Sequence, residues 1–365
     1  MIGVQHTNLS GHPTISSERK ASQMQVINIP TMKSMIHHVG VRKRRPLFFW
    51  GPSGIGKSEG IHQSAAEHSA IMIDIRVSQY ESVDFRGIPD TSQGLTVWNM
   101  PATLPFKGNP KFNEDGPLIF LFLDEINQGD PSVLSVLYQL INDRAVGEHT
   151  LMDNVVMVCA GNRELDRGST TKWAYPLGNR GTHAELIPDI KAWSNWAAKA
   201  GLSPTVIGFL NFRSELLYTF DPAAPQKVFA SPRSWTFAEQ DFIDKEIPAD
   251  ARGASISGSV GEGPGIELLG FAEIMDSIRP IEEIIADPSG VPVEERLDLQ
   301  WAMATHVSGS MTADNVDPLH KFLTRLEPEM AVMAWTMALA RDEELSDTNA
   351  FMCGFAVQYR GLFQS

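Results

Sequence analysis

The chain has few of the residues that would mark several common classes of protein. Only two cysteines, Cys159 and Cys353, occur in 365 residues, so neither a disulfide framework nor a cysteine-rich zinc site is expected, and we expect neither thiol to be functional. No apolar run approaches the roughly 20 residues that span a bilayer, and the polar N-terminal stretch lacks the apolar core of a secretory signal. These absences predict a cytoplasmic protein without a membrane span.

Basic residues are also scarce. Thirty Lys and Arg stand against 44 Asp and Glu, which gives a formal net charge of −14. Non-specific binding of nucleic acid depends on clustered cations, so this balance does not favour nucleic acid as a partner, although it does not exclude DNA. The one basic run, residues 42–45, directly precedes a predicted strand and is interpreted as a solvent-exposed segment that leads into it.

Apolar runs alternate with helical segments between residues 29 and 186. The runs are "PLFFW", "AIMIDIR", "LIFLFLDE", "NVVMVCAGN" and "HAELI". Strands that are apolar on both faces and separated by helices are typical of a parallel sheet covered on both sides. The sequence therefore predicts an α/β fold class with a parallel sheet.

Helical periodicity replaces this alternation after about residue 188. Two segments have their apolar residues on one face, Leu319, Phe322, Leu323 and Leu326 in the first and Met330, Met333, Ala334 and Met337 in the second. We interpret the methionine-rich face as core. The Gly- and Ser-rich stretch 251–265 is expected to be a mobile loop. The predicted organisation is a flexible segment over 1–25, a nucleotide-binding domain over 26–187, and a helical lid with a C-terminal extension over 188–365, with the loop at about 250–265.

A phosphate-binding loop follows the first predicted strand. The pattern G-x-x-x-x-G-K-[ST] is matched without a mismatch by Gly51, Pro52, Ser53, Gly54, Ile55, Gly56, Lys57 and Ser58. Glycines let the backbone point successive N–H groups at phosphates, and the N-terminus of the following helix adds its positive dipole end. Lys57 is expected to bridge the β- and γ-phosphates of ATP, and Ser58 to hold Mg²⁺.

Two acidic residues follow the predicted strand in "LIFLFLDEIN". Asp124 and Glu125 come at its carboxyl end, where open α/β sheets bind ligands. We expect Asp124 to join Ser58 around the Mg²⁺ ion and Glu125 to orient and polarise the attacking water. Together with the phosphate loop, this second motif predicts an ATPase.

Three further polar residues narrow the class of ATPase. Asn162 ends a buried strand, Arg180 precedes the next one, and Arg233 begins a helix in "FASPRSW". This set resembles the AAA+ ATPases. The resemblance implies that Asn162 is sensor 1, Arg180 an arginine finger acting on a neighbouring subunit, and Arg233 sensor 2. Gly181 stands where the family commonly has Phe after its Asn-Arg, so Arg163 and Arg167 compete with Arg180 for the finger role.

Within AAA+ proteins, residues 30 to 245 resemble the MoxR group, which includes the CbbQ, NorQ and GvpN types. The segment 82–104 resembles its helix-2 insert, with Asp84, Gly87 and Pro89 fitting the D-x-x-G-x-P opening and Gly94 suiting a hairpin turn. "DEINQGDPSVLSVLYQLINDRAVG" and "SPR" also match the group.

The MoxR resemblance implies a hexameric ring and a chaperone-like motor that remodels a client protein, often beside a partner with a von Willebrand factor A domain. Trp98 in the insert is either a client contact or a packing residue of the hairpin. The alternative function is a nucleic-acid-stimulated AAA+ motor, a helicase or translocase, because one fold serves both. The histidines at 37, 38, 62 and 68 lack metal-ligand spacing or companions in the sequence and are interpreted as ordinary residues.

Overall fold

A computed structural model describes residues 24–92, 94–163, 178–223 and 226–359. In these ranges, six parallel strands form the main sheet in the order β1-β10-β2-β9-β6-β3. Their bounds are β1 Gln25–Ile27, β2 Leu47–Trp50, β3 Ile71–Arg76, β6 Ile119–Asp124, β9 Val155–Gly161 and β10 Thr182–Leu186. Two small antiparallel pairs accompany it, β4 Ile88–Asp90 with β5 Val97–Asn99 and β7 Ala145–Val146 with β8 His149–Thr150.

The five predicted strands are all present, and the central ones are apolar throughout because helices cover both faces. Every residue of β2 and β9 is buried, as are the first five residues of β6. The edge strand β1 was not predicted. Its pairing with β10 begins at Gln25, so the last residue of the segment expected to be flexible is in a strand. The rest of that segment, up to residue 23, lies outside the described residues.

Helices follow the strands and then continue alone. Those of the α/β part are α1 Ile29–Met35, α2 Lys57–Glu67, α3 Ser82–Arg86 and α4 Pro131–Asp143. Those of the helical part are α5 Ile190–Lys199, α6 Pro204–Phe212, α7 Pro232–Ile243, α8 Ala249–Val260, α9 Glu262–Asp276, α10 Ile281–Ala286, α11 Leu297–Ser310, α12 Val316–Leu323, α13 Pro328–Arg341 and α14 Ala356–Gln358. The predicted fold class, a parallel-sheet P-loop α/β domain followed by helices, is confirmed.

The helical part has its own apolar core. Trp235 of α7 and Trp335 of α13 are fully buried in it, with the indole N–H of Trp235 donating to the Leu216 carbonyl at 2.8 Å. Both apolar faces predicted from periodicity are buried in this core, so the methionine-rich face is core, as predicted. The helix boundaries are consistent with local signals: Pro232 is at the first position of α7, after a Ser231 cap.

The prediction of a mobile loop over 251–265 is wrong. The stretch contains most of α8 and the start of α9, interrupted at Gly261, which has φ of +98°. Glycine and serine are poor helix formers in isolation, but small residues let two helices approach closely. A Cβ at Gly265 would lie 2.6 Å from the Ser257 hydroxyl oxygen, so the small side chains here serve helix packing.

The predicted insert contains a hairpin. Strands β4 and β5 pair antiparallel, and the turn between them includes Gly94 at φ of +79°, which confirms the expected turn. Asp84 and Glu81 form a capping box on α3, with the Glu81 N–H donating to the Asp84 carboxylate at 2.8 Å. Gly87 then turns the chain into β4 at φ of +87°.

The net negative charge lies entirely in the helical part. Residues 188–359 contain 26 Asp and Glu and 12 Lys and Arg, whereas the remaining residues have 18 of each. In the part of the chain that the structure describes, no helix is both long and apolar enough to traverse a bilayer.

Candidate phosphate-binding site

The predicted phosphate loop connects β2 to α2 at the carboxyl edge of the sheet. Strand β2 ends at Trp50 and α2 begins at Lys57. Gly54 and Gly56 have φ of +81° and +93°, conformations that L-residues with a Cβ rarely adopt. A Cβ at Gly56 would meet no atom within 4 Å. The loop therefore curls as its glycines predict, with open space beside its last turn.

The ammonium of Lys57 lies inside this curl. Its side chain is buried, and Nζ donates to the carbonyl oxygens of Gly51 at 2.8 Å and Pro52 at 2.7 Å. Nζ also lies 3.3 Å from Oδ1 of Asn162. A buried ammonium needs such acceptors to offset its lost hydration, so the lysine joins the loop to the end of β9.

Ser58 and Asp124 meet across the sheet edge. The Ser58 hydroxyl donates to Oδ2 of Asp124 at 2.9 Å, although the two residues are 66 positions apart. The other carboxylate oxygen of Asp124 accepts the backbone N–H of Glu125 at 2.8 Å. A hydroxyl and a carboxylate offer the oxygen ligands that Mg²⁺ prefers, so this predicted pair fits that ion.

Glu125 has an unusual backbone. It is in the left-handed region at φ of 53° and ψ of 38°, where a non-glycine residue is strained. The Ser78 hydroxyl, just after β3, donates to Oε2 of Glu125 at 2.8 Å. This hydrogen bond holds the Glu125 carboxylate towards the residues that follow β3.

A second asparagine supports Asn162. The side-chain amide of Asn127 donates to the Asn162 carbonyl at 2.8 Å, and Asn127 is buried. Its Oδ1 has no hydrogen-bond partner among the described residues, and a Cβ at Gly161 would lie 3.0 Å from it. Sequence reasoning missed Asn127 and Ser78, since neither contact is visible before β3, β6 and β9 are placed side by side.

The start of α7 contacts the phosphate loop. The Arg233 N–H donates to the Gly54 carbonyl at 3.1 Å, and a Cβ at Gly54 would lie 2.8 Å from the Ser231 hydroxyl oxygen. The Arg233 side chain is exposed beside the loop. The first turn of the predicted lid therefore touches the loop through backbone atoms, which sequence reasoning did not anticipate.

The three candidate finger arginines differ in position. Arg180 is exposed in the turn before β10, at the amino edge of the sheet. Arg163 follows Asn162 at the carboxyl edge, and its Nη1 lies 3.1 Å from Oε1 of the buried Glu185 in the same chain. Arg167 lies outside the described residues.

Trp98 is half-buried in the β4–β5 hairpin. The Arg86 guanidinium lies 5.6 Å from its ring centroid, and the backbone N–H of Trp98 donates to Oε1 of Glu148 at 3.1 Å. The exposed apolar side chains of the hairpin are Ile88 and Leu95, at 69% and 75%, with Val97 at 46%. These contacts agree with the packing interpretation of Trp98.

The two cysteines differ in environment. Cys159 is fully buried in β9, and burial raises the pKa of its thiol far above the usual range. Cys353 is exposed in the helical part. The thiol near the site is therefore a packing residue.

Comparison with known proteins yields no family model and no curated protein that matches the chain. Among solved structures, a mutant of Thermotoga maritima RuvB is 14% identical with a TM-score of 0.37, and the match covers 82% of this chain and 88% of that one.

NtrX from Brucella abortus in complex with ADP is 13% identical with a TM-score of 0.38, and the match covers 92% of this chain and 67% of that one. Hsp104 with ATPγS and FITC casein is 15% identical with a TM-score of 0.34, and the match covers 67% of this chain and 45% of that one. At TM-scores below 0.5 these likenesses are too loose to assign a family, and the functional assignment rests on the chain's own residues.

Proposed function

We propose that the protein is an ATP-hydrolysing motor of the AAA+ type. The observation that carries the proposal is the convergence of Lys57, Ser58, Asp124, Glu125 and Asn162 at one sheet edge. The residues come from three separate stretches of chain. The set combines a phosphate cradle, oxygen ligands for a divalent cation and a second carboxylate, which are the parts that phosphoryl transfer to water requires.

Each group has a distinct role in this proposal. Loop N–H groups and the Lys57 ammonium hold the phosphates of ATP, and Ser58 and Asp124 hold Mg²⁺. When bound, that ion neutralises charge that develops on the phosphate oxygens. Glu125 is proposed to accept a hydrogen bond from the attacking water and orient it. The Asn162 amide, whose Oδ1 lies 3.3 Å from Nζ of Lys57, is proposed to hold that water near the γ-phosphate.

We propose that Arg180 acts on the site of a neighbouring copy. Strands β10 and β2 are parallel, with Thr182 opposite Leu47 and Glu185 opposite Trp50. Arg180 therefore lies roughly 20 Å along the strand direction from the level of the phosphate loop, farther than its side chain extends. A head-to-tail contact that closes forms a ring, and the family resemblance implies six subunits.

The proposed lid couples hydrolysis to motion. The first turn of α7 contacts the loop at Gly54, so a change in the loop on phosphate release would shift the position of α7. Arg233, exposed beside the loop, is proposed to contact the γ-phosphate as sensor 2. Loss of that phosphate would release the arginine and change the angle between the α/β part and the helices.

The proposed use of this motion is MoxR-type remodelling of a client protein, with a von Willebrand factor A partner. The support is the β4–β5 hairpin, whose apolar residues Ile88 and Leu95 are largely exposed. Exposed apolar side chains on a hairpin suit contact with apolar segments of an unfolded client. We assign client contact to these two residues rather than to Trp98, which packs against Arg86.

The Glu125→Gln variant tests the chemistry. It should bind ATP with unchanged affinity and hydrolyse it at least about 100-fold more slowly, because the base is lost while the shape is kept. Glu273→Gln, an exposed carboxylate on α9, is the matched control and should hydrolyse ATP normally. Hydrolysis by Glu125→Gln at the control rate would contradict the assignment.

Mixing two inactive variants tests the ring. Arg180→Ala lacks the finger and Lys57→Ala lacks the phosphate lysine, so each alone should be inactive. In a mixed ring, an Arg180→Ala subunit keeps its own loop and receives an intact arginine from a Lys57→Ala neighbour. Mixtures should therefore regain part of the hydrolysis rate, and no gain over the separate proteins would contradict action between subunits.

The ligand that stimulates ATP hydrolysis distinguishes protein remodelling from the alternative function, a nucleic-acid motor. Stimulation by an unfolded protein, lost when Leu95 is changed to Ser, would support remodelling. Stimulation by DNA that falls steeply with salt would support a nucleic-acid motor instead.

A further inference from the structure

Two histidines from distant parts of the chain meet at the far end of the phosphate-loop helix. His37 lies in the π-helical turn Ile36–Val41, and His68 follows the last residue of α2. Nδ1 of His37 lies 2.9 Å from Nε2 of His68, and their rings stack with centroids 5.2 Å apart. The separation of 31 positions explains why the sequence did not indicate this pair.

The hydrogen bonds of His68 define which nitrogen is available to a ligand. Its Nδ1 lies 2.7 Å from the Ser64 carbonyl oxygen, which can only accept, so Nδ1 has the proton. In the neutral ring, Nε2 of His68 then accepts the hydrogen bond that Nδ1–H of His37 donates at 2.9 Å. Metal-binding histidines are oriented in this way, with one ring nitrogen donating to a carbonyl and the other facing the metal.

We propose that His37 and His68 form a two-histidine site for a divalent transition metal such as Zn²⁺ or Ni²⁺, with water completing the coordination. Two imidazole nitrogens on a tetrahedral Zn²⁺, with bonds of about 2.0–2.1 Å, are roughly 3.3 Å apart. The N–N distance must therefore widen by about 0.4 Å, and the His37 ring must turn so that both lone pairs converge on the ion. His37 is exposed, so its side chain can make that adjustment.

The surroundings favour a neutral imidazole and a soft cation. Desolvation, followed by the charges of His38, His68 and Arg42, lowers the pKa of His37. The ring is therefore neutral at neutral pH, and a bound metal takes the lone pair of Nδ1 when the ring proton moves from Nδ1 to Nε2. Imidazole suits Zn²⁺, Ni²⁺ and Cu²⁺ and does not suit Mg²⁺, which prefers oxygen.

The same charges also limit the affinity. Arg42 opposes a bound cation, whereas the nearby Lys33 is neutralised by Glu67 at 2.7 Å. Within the described ranges, no group of three or more His, Cys, Asp or Glu residues has metal-binding geometry, so two protein ligands are expected.

The site would be separate from the Mg²⁺ ligands. Helix α2 begins at Lys57 and has 11 residues, so its two ends are about 16 Å apart. A metal held by both histidines would link the π-helical turn to the C-terminal end of α2. Because the folded protein alone presents the pair, the metal should raise the unfolding temperature.

Calorimetric titration of the full metal-stripped chain with Zn²⁺ at pH 7.5 tests the proposal. The wild type should bind one equivalent, and His37→Ala and His68→Ala should each lose it. The matched control is His62→Ala, since His62 is an exposed histidine on the same helix, paired with Asp74 at 2.9 Å. This control should bind like the wild type, as should His38→Ala. Thermal unfolding without metal checks that every variant folds.

Several outcomes would overturn the site. They are no Zn²⁺ binding by the wild type, binding that persists in both His37→Ala and His68→Ala, or loss of binding in His62→Ala or His38→Ala. Lowering the pH to 5.5 should weaken binding, because protons compete for the imidazole nitrogens. Titration with Mg²⁺ should give no heat at this site, and competition between Mg²⁺ and Zn²⁺ for it would contradict the assignment.

Discussion

Gly87, where α3 turns into the β4–β5 hairpin, gives the sharpest mutational prediction. Its φ of 87° and ψ of −170° belong to a region that is essentially restricted to glycine, so Gly87→Ala costs about 1–3 kcal/mol in backbone strain. A Cβ there would also lie 1.9 Å from the Asn99 carbonyl oxygen, well inside contact distance. Because Asn99 pairs with Ile88, the overlap has to separate β4 from β5.

Gly94 in the turn of the same hairpin is the matched control. Its φ is +79°, but a Cβ there would meet nothing within 4 Å. Gly94→Ala should therefore cost only the left-handed conformation, about 1–2 kcal/mol. The difference between the two variants isolates the steric overlap at Asn99 from backbone strain.

Hydrogen exchange of the hairpin amides, together with ATP binding, measures the difference. Gly87→Ala should abolish protection in β4 and β5, while Gly94→Ala keeps most of it. Both variants should bind ATP normally, since the described hairpin contacts involve Arg86 and Glu148 rather than the phosphate loop. Equal protection in the two variants, or loss of ATP binding in Gly87→Ala alone, would refute the reasoning.

Two further predictions concern buried polar contacts. Asn127→Asp replaces the amide that donates to the Asn162 carbonyl at 2.8 Å with an acceptor. The variant should lose about 1–3 kcal/mol of unfolding free energy, measured by urea unfolding, and hydrolyse ATP more slowly in steady-state kinetics. Unchanged values of both would argue against a positioning role for Asn127. Desolvation lowers the pKa of His320, so the unfolded chain binds its proton first and stability should fall as pH drops below about 6.5. His320→Gln, which keeps an acceptor for the neighbouring indole N–H, should flatten that pH dependence in thermal unfolding, and an identical slope would exclude His320 as its source.

Signals local to one segment predicted most of the fold. Strands such as β6 and β9 were identifiable because their apolar residues are contiguous, which only a sheet covered on both faces requires. Strand β1 has three residues and begins with Gln25, too short to produce a pattern. Composition failed at 251–265, because the close approach of Gly265 to Ser257 depends on a helix partner that composition does not reveal.

The residues of the site also fall into those that local sequence predicts and those that it does not. Lys57 and Ser58 have a fixed spacing within one loop, and Asp124 follows directly from a buried strand, so all three were predicted. Asn127 and Ser78 act through contacts across strands. Such contacts require the strand order, which no single segment encodes.

The uneven distribution of charge between the two parts has a consequence for encounter kinetics. Residues 188–359 hold the whole surplus of acidic residues, so the helical part is strongly negative, whereas the rest of the chain, which includes the phosphate loop, is near-neutral. A cationic protein would be drawn towards the helices first and would arrive oriented, at a rate that salt slows. Ionic strength should then change the association rate of such a cationic partner and leave the turnover of bound nucleotide almost unchanged.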